Sequence, residues 1–226
     1  MCLENCIVME RNLNEVISAL SESIGKPQPG LRSRSCFELL ISAILSAQTT
    51  DAQVNQVTEG LFERFPDAGS MAVASKGELE KLIYSTGFYR AKAANIRGAA
   101  RMLIERYNGE VPATMGELIV LPGVGRKVAN VIIGGCFGKP AIIVDTHFAR
   151  VVKRIGLTEA SDPAKIEKTV KALVPEEKQY LFSMLLYRHG QSVCKARKPE
   201  CEDCAIRAYC RYYKNEQRKQ DKNGRD

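Results

Sequence analysis

The chain has 226 residues, enough for one sizeable core or for two lobes of roughly 100 residues each. Charged residues make up 26% and hydrophobic residues 45%, a globular balance that excludes the disordered and fibrous classes. A formal charge of +7 suits a polyanionic partner without identifying one.

Helix signals dominate in chain order. Helices are expected over 10–23, 35–47, 51–64, 68–73, 76–84, 90–107, 114–120, 126–135, 146–155, 163–173 and 176–190. Ser35 to Glu38, Ser75 to Glu78 and Thr114 to Glu117 each carry the capping-box spacing, in which hydroxyl and carboxylate satisfy reciprocal free amides. Asp162-Pro163 supplies an N-cap followed by proline at the first helical position. Breakers fall between helices at Pro66, Gly87, Asn108-Gly109, Pro122-Gly123, Gly138-Lys139-Pro140 and Pro175. Only 141–144 reads as β-like, and it is short enough for an extended linker. The polar tail from Lys214 is expected to fray. The fold class is all-α.

No run approaches the roughly 18 apolar residues of a membrane span, and residues 1–13 hold no signal-like apolar segment. A cytosolic or nuclear location is expected, cytoplasmic and nucleoid-associated in a prokaryote, with no membrane partner. In such a reducing compartment eight cysteines read as metal ligands or buried thiols. Cys36 and Cys136 lie in apolar helical contexts and are expected in the core; Cys2 and Cys6 read as exposed thiols.

Two strings carry chemistry. Leu121-Pro122-Gly123-Val124-Gly125-Arg126-Lys127 lies between two helices. Its glycines let an anion approach the main chain, and the following amides open a helix whose dipole favours phosphate. Val124 can pack inward and pin the turn. Such a loop grips a DNA backbone without reading bases. Farther on, Cys194, Cys201, Cys204 and Cys210 form C-x6-C-x2-C-x5-C. Four thiolates suit tetrahedral zinc or a [4Fe–4S] cluster, and spacing alone does not choose between them. Lys195, Arg197 and Lys198, inside the first ligand loop, can contact phosphate, offset thiolate charge, or simply face solvent.

Leu45-Ser46-Ala47-Gln48-Thr49-Thr50-Asp51, the stretch 121–130, Val144-Asp145-Thr146-His147 and the four-cysteine spacing occur in one order. In these the chain resembles the endonuclease III family of the helix-hairpin-helix DNA glycosylase superfamily, over nearly its whole length. The resemblance implies a [4Fe–4S] cluster rather than zinc, and two helical lobes flanking a DNA-binding cleft. A six-helix barrel domain would span 28–140, with the helix-hairpin-helix at about 114–135. An iron–sulfur domain would combine 1–27 with 141–226. It further implies a monomeric DNA N-glycosylase and DNA-(apurinic or apyrimidinic site) lyase. The substrate would be double-stranded DNA containing damaged pyrimidines or abasic sites.

Lys127 and Asp145 match the family's catalytic lysine and aspartate. A neutral amine can displace a base at C1′ of an extruded nucleotide, and the resulting Schiff base permits β-elimination 3′ to the abasic site. Asp145 can stabilise charge on the sugar and relay protons. The plainer alternatives are a phosphate contact for Lys127 and a helix N-cap for Asp145. Gln48 matches the gap-filling glutamine, and Phe88 stands where bacterial relatives usually carry a leucine wedge. Gly123, Val124, Gly125 and Arg126 complete the expected DNA contacts. His147 and His189 are assigned no chemistry.

Ile119 replaces a familiar carboxylate, which weakens the base-contact pattern. Relatives acting on adenine opposite damaged guanine carry a glutamate where this chain has Ala43, and they and the mismatch thymine glycosylases do without the lysine. A pyrimidine-dimer glycosylase, a non-enzymatic DNA-binding or redox module and a zinc-stabilised architectural protein are the remaining alternatives.

Overall fold

The computed structural model describes residues 2–223, with side chains over 12–218. Among the described residues there are twelve α-helices and no strand. These are α1 (Cys2–Ile24), α2 (Cys36–Leu45), α3 (Asp51–Arg64), α4 (Ala68–Val73), α5 (Lys76–Leu82), α6 (Tyr89–Tyr107), α7 (Met115–Leu118), α8 (Arg126–Phe137), α9 (Thr146–Ile155), α10 (Pro163–Leu173), α11 (Gln179–Ser192) and α12 (Arg211–Asn223). The chain divides into two compact units, 29–139 and 1–28 with 140–226. No described helix is long and apolar enough to cross a membrane.

Local chemistry sets most helix starts. Thr50, Asp67, Ser75, Thr114 and Asp162 each accept a hydrogen bond from a first-turn amide. The expected boxes differ in detail. At Ser75 both halves form. At Ser35 the Glu38 carboxylate instead accepts from the Arg34 amide at 2.6 Å and pairs with its guanidinium. At Thr114 the Glu117 carboxylate instead accepts a hydrogen bond from the Thr114 hydroxyl. A reciprocal cap from Asp67 and Ser70 was not anticipated, because serine replaces the usual glutamate.

In the 29–139 unit, α2 is buried along its whole length from Phe37 to Leu45 and packs on α3, α6 and α8. The second unit is built on a stripe of Leu13, Val16, Ile17 and Leu20 from α1. This helical spacing faces Phe148, Val151 and Val152 of α9, Ile166 and Val170 of α10, and Phe182, Leu185 and Leu186 of α11. Phe148 and Phe182 meet edge-on at 6.0 Å. The 141–144 segment is a linker: the Ile143 amide donates to Ser183 Oγ at 3.0 Å, which removes the need for a partner strand.

Two expectations are corrected. Cys36 and Cys136 are half-buried rather than core, and they hydrogen-bond to each other. The tail from Lys214 does not fray at once but continues as α12, whose first turn is anchored by Arg211 on Glu159 and by Tyr212 under Arg154. The expectation for Cys2 and Cys6 lies outside the described side chains, and residues 224–226 lie outside the described residues.

Candidate functional site

The hairpin joins α7 to α8. Leu121 and Val124 are buried, and the Val124 amide closes the turn on the Leu121 carbonyl at 3.1 Å. Gly123 has φ +79°, and a Cβ there would stand 2.9 Å from both Asn95 Cβ and Ile44 Cγ2. The hairpin is thus seated on α6 and on the end of α2, and only a residue without a side chain fits. Gly125 is the N-cap of α8 and has no side chain to cover the opening amides. Arg126 and Lys127 follow on the first turn, both exposed. The opening amides of α8 therefore have no side-chain cap, an arrangement that suits an anion, and Lys127 stands beside them.

Gln48 and Phe88 also belong to the 29–139 unit. Both are exposed, and both hold left-handed backbone, with φ 53° and 48°. Phe88 is 69% exposed. Their turns are tied together from beneath by a residue the sequence reading missed. Lys92, buried in α6, donates to Thr49 Oγ1 at 2.6 Å and to the Thr86 carbonyl at 2.7 Å. Burial holds the Lys92 amine below the ordinary lysine range. A sequence signal existed: Lys92 occupies the core register of Ile96, Ala99 and Leu103, where an apolar residue would be expected. Ile119, in place of the familiar carboxylate, is partly exposed on the same hairpin.

The 1–28 and 140–226 unit carries Asp145 and the cysteines. Asp145 is the N-cap of α9, its Oδ1 accepting from the Phe148 amide at 2.7 Å. That bond fixes the carboxylate at the mouth of the helix. His147 packs edge-on against Tyr187 and lies 3.3 Å from Arg150.

Cys194, Cys201, Cys204 and Cys210 line one cavity together with Arg154, His189 and Tyr212. Arg154 approaches Cys194 Sγ at 3.2 Å and donates to the Lys195 and Ala196 carbonyls, while Arg150 donates to the Cys194 carbonyl at 2.9 Å. Two turns of α9 therefore clamp the first ligand loop. His189 Nε2 lies 3.6 Å from Cys204 Sγ, and burial pushes its pKa down to about 4. Neither arginine nor His189 was singled out from sequence, because no spacing links them to the cysteines.

Burial raises the Cys201 and Cys210 thiols and pushes Cys204 up to about 11. Thiolates in such a cavity call for a cationic centre to offset them. Among the described residues no three His, Cys, Asp or Glu side chains are grouped so as to hold a metal ion. Of the loop cations, Lys195 pairs with Glu200 at 2.5 Å, while Arg197 and Lys198 are exposed.

A family model for HhH-GPD superfamily base excision DNA repair proteins matches residues 41–176. Endonuclease III of Synechocystis sp. is 49% identical over 174 residues, covering 76% of this chain and 80% of that protein. A solved non-covalent endonuclease III–DNA complex is similar with a TM-score of 0.87 at 40% identity, covering 92% of this chain and 98% of that one. A trapped endonuclease III–DNA covalent intermediate gives 0.86 at the same identity and coverage. With a glycine-seated hairpin, an exposed lysine on its helix and four thiols lining one cavity, the chain belongs to the endonuclease III family of base excision DNA repair enzymes, the bifunctional DNA glycosylase/AP lyases.

Proposed function

We propose that this enzyme excises oxidised pyrimidines from double-stranded DNA and cleaves the strand 3′ to the abasic site, with Lys127 as nucleophile. The observation that carries the reading is the place of Lys127. It is an exposed amine on the first turn of a helix whose opening amides follow a glycine turn suited to phosphate. The hairpin grips the backbone, and the amine stands beside the grip.

The neutral Lys127 amine attacks C1′ of the extruded nucleotide, and the glycosidic bond breaks with its electron pair leaving on the base. The departing base takes a proton. The sugar ring then opens to a Schiff base between Lys127 and C1′. Loss of the C2′ proton expels the 3′ phosphate, and water finally releases the amine. Asp145 supplies the carboxylate that stabilises charge on the sugar and relays protons. Its N-cap bond to Phe148 supports this role, because the bond holds one oxygen and so orients the other. Gln48 and Phe88 fill the vacancy left in the stack, which costs a few kcal/mol to open. Gly123, Val124, Gly125 and Arg126 hold one strand, and Arg197 and Lys198 add phosphate contacts.

Cys194, Cys201, Cys204 and Cys210 would hold a [4Fe–4S] cluster. The four cysteines line one cavity and supply the all-thiolate donor set that such a cluster takes. Bound there, it would offset thiolate charge and order the loop carrying Lys195, Arg197 and Lys198. The enzyme is read as a monomer.

Borohydride reduction on duplex containing dihydrouracil or an abasic site tests the chemistry. A covalent adduct should form with the parent and vanish in Lys127→Ala. Strand scission undiminished in that variant would refute the nucleophile. A glycosylase panel tests the substrate, with thymine glycol and dihydrouracil expected to be cleaved fastest. Preference for a uracil mismatch would overturn that choice.

A further inference from the structure

Lysine is almost never fully buried without an acidic partner, yet Lys92 is 4% exposed and its ammonium binds two neutral oxygens. Those oxygens come from different turns. Thr49 follows Gln48, and Thr86 precedes Phe88 by two residues. The Thr49 hydroxyl donates in turn to the Thr86 carbonyl, so ammonium, hydroxyl and carbonyl close a triangle. Above it stand two exposed side chains whose non-glycine backbones hold left-handed conformations, a state kept only where surroundings enforce it. A methionine in the same core register would pack without desolvating a charge. It could not gather both turns.

We propose that Lys92 is the positioning residue for base extrusion, locking the Gln48 turn to the Phe88 turn so that both side chains enter the duplex as one rigid wedge. This rests on the gap-filling reading of Gln48 and Phe88. A wedge must not yield when it displaces a stacked nucleotide, and the backbone bonds within each turn, Thr49 to the Ser46 carbonyl and Thr86 to the Ile83 carbonyl, do not tie one turn to the other. The clamp supplies that resistance from below, without touching DNA. Its effect therefore falls on substrates that need extrusion and spares those already unpaired.

The test uses the full-length, cluster-loaded enzyme under single-turnover conditions. Excision of dihydrouracil paired with guanine is compared with excision of the same lesion in an unpaired bubble. A 2-aminopurine beside the lesion reports unstacking. Lys92→Met should lower the paired rate on the order of tenfold, with the unstacking signal lost, while the unpaired rate changes less than about twofold. Thr49→Val should follow Lys92→Met, and Thr49→Ser, which keeps the hydroxyl, should restore the paired rate. Where Lys92→Met does not fold, the two Thr49 variants decide.

Equal loss on both substrates would reduce Lys92 to fold support and overturn the proposal. Gln48→Ala and Phe88→Ala serve as the reference. If they lose only the paired reaction while the clamp variants do not, the clamp alone falls. If neither shows that split, the gap-filling reading falls and the clamp with it.

Discussion

Replacing Gly123 with alanine perturbs the hairpin at its seat. At φ +79° an alanine is disfavoured by about 1–2 kcal/mol, because its Cβ crowds the following carbonyl. The same Cβ would stand 2.9 Å from Asn95 Cβ and from Ile44 Cγ2. Ile44 is a core residue of α2 and cannot retreat, so overpacking adds about 1–3 kcal/mol. A loss of about 3 kcal/mol in a chain of this size lowers Tm by about 10 °C. Gly125→Ala is the matched control. Gly125 has ordinary backbone and open space around its Cβ position, so the fold should lose no more than about 1 kcal/mol, the cost of a weaker N-cap. Its new methyl would, however, stand where phosphate meets the opening amides of α8. Circular dichroism melts of both variants, with binding to an abasic-analogue duplex at two salt concentrations, separate the effects. Gly123→Ala should melt early; Gly125→Ala should melt near the parent and still bind weakly. Parent-like melting of Gly123→Ala, or early melting of Gly125→Ala, would refute the packing argument.

Three further outcomes are expected. Asp145→Asn keeps an N-cap acceptor and should retain the parent Tm, whereas Asp145→Ala should lose about 1 kcal/mol in denaturant titration; both should lose excision, and full activity in the asparagine variant would remove the charge from the mechanism. Gly190→Ala places a Cβ 2.8 Å from His147 Cβ and should cost about 1–3 kcal/mol, read as a lowered denaturant midpoint; an unchanged midpoint would show that α9 and α11 can part there. Cys201→Ser should reduce iron content and visible absorbance, while Cys136→Ser should leave both unchanged; a colourless, zinc-containing parent would refute the cluster.

Much of the secondary structure was legible because its causes are local. The helices at 51–64, 68–73, 146–155 and 163–173 fall where breakers, N-caps and N1 proline place them. Even so, the partners of those caps were only partly readable. Glu38 turns to Arg34 because the arginine lies beside it and offers both an amide and a charge. The family strings likewise named Lys127, Asp145, Gln48 and the cysteines by spacing along the chain. Family membership needed no coordinates.

What only tertiary structure decided concerns residues that act through neighbours remote in sequence. Lys92 shares a helical register with core residues of α6, but only the fold places its amine under Thr49 and Thr86. His189 and Arg154 are far along the chain from Cys204 and Cys194, and packing alone brings them into contact. Burial and desolvation depend on what surrounds a side chain in space, a quantity that capping motifs and cysteine spacings do not encode. Local signals place helices and strings; only packing creates the environments in which a buried amine or imidazole takes on a role.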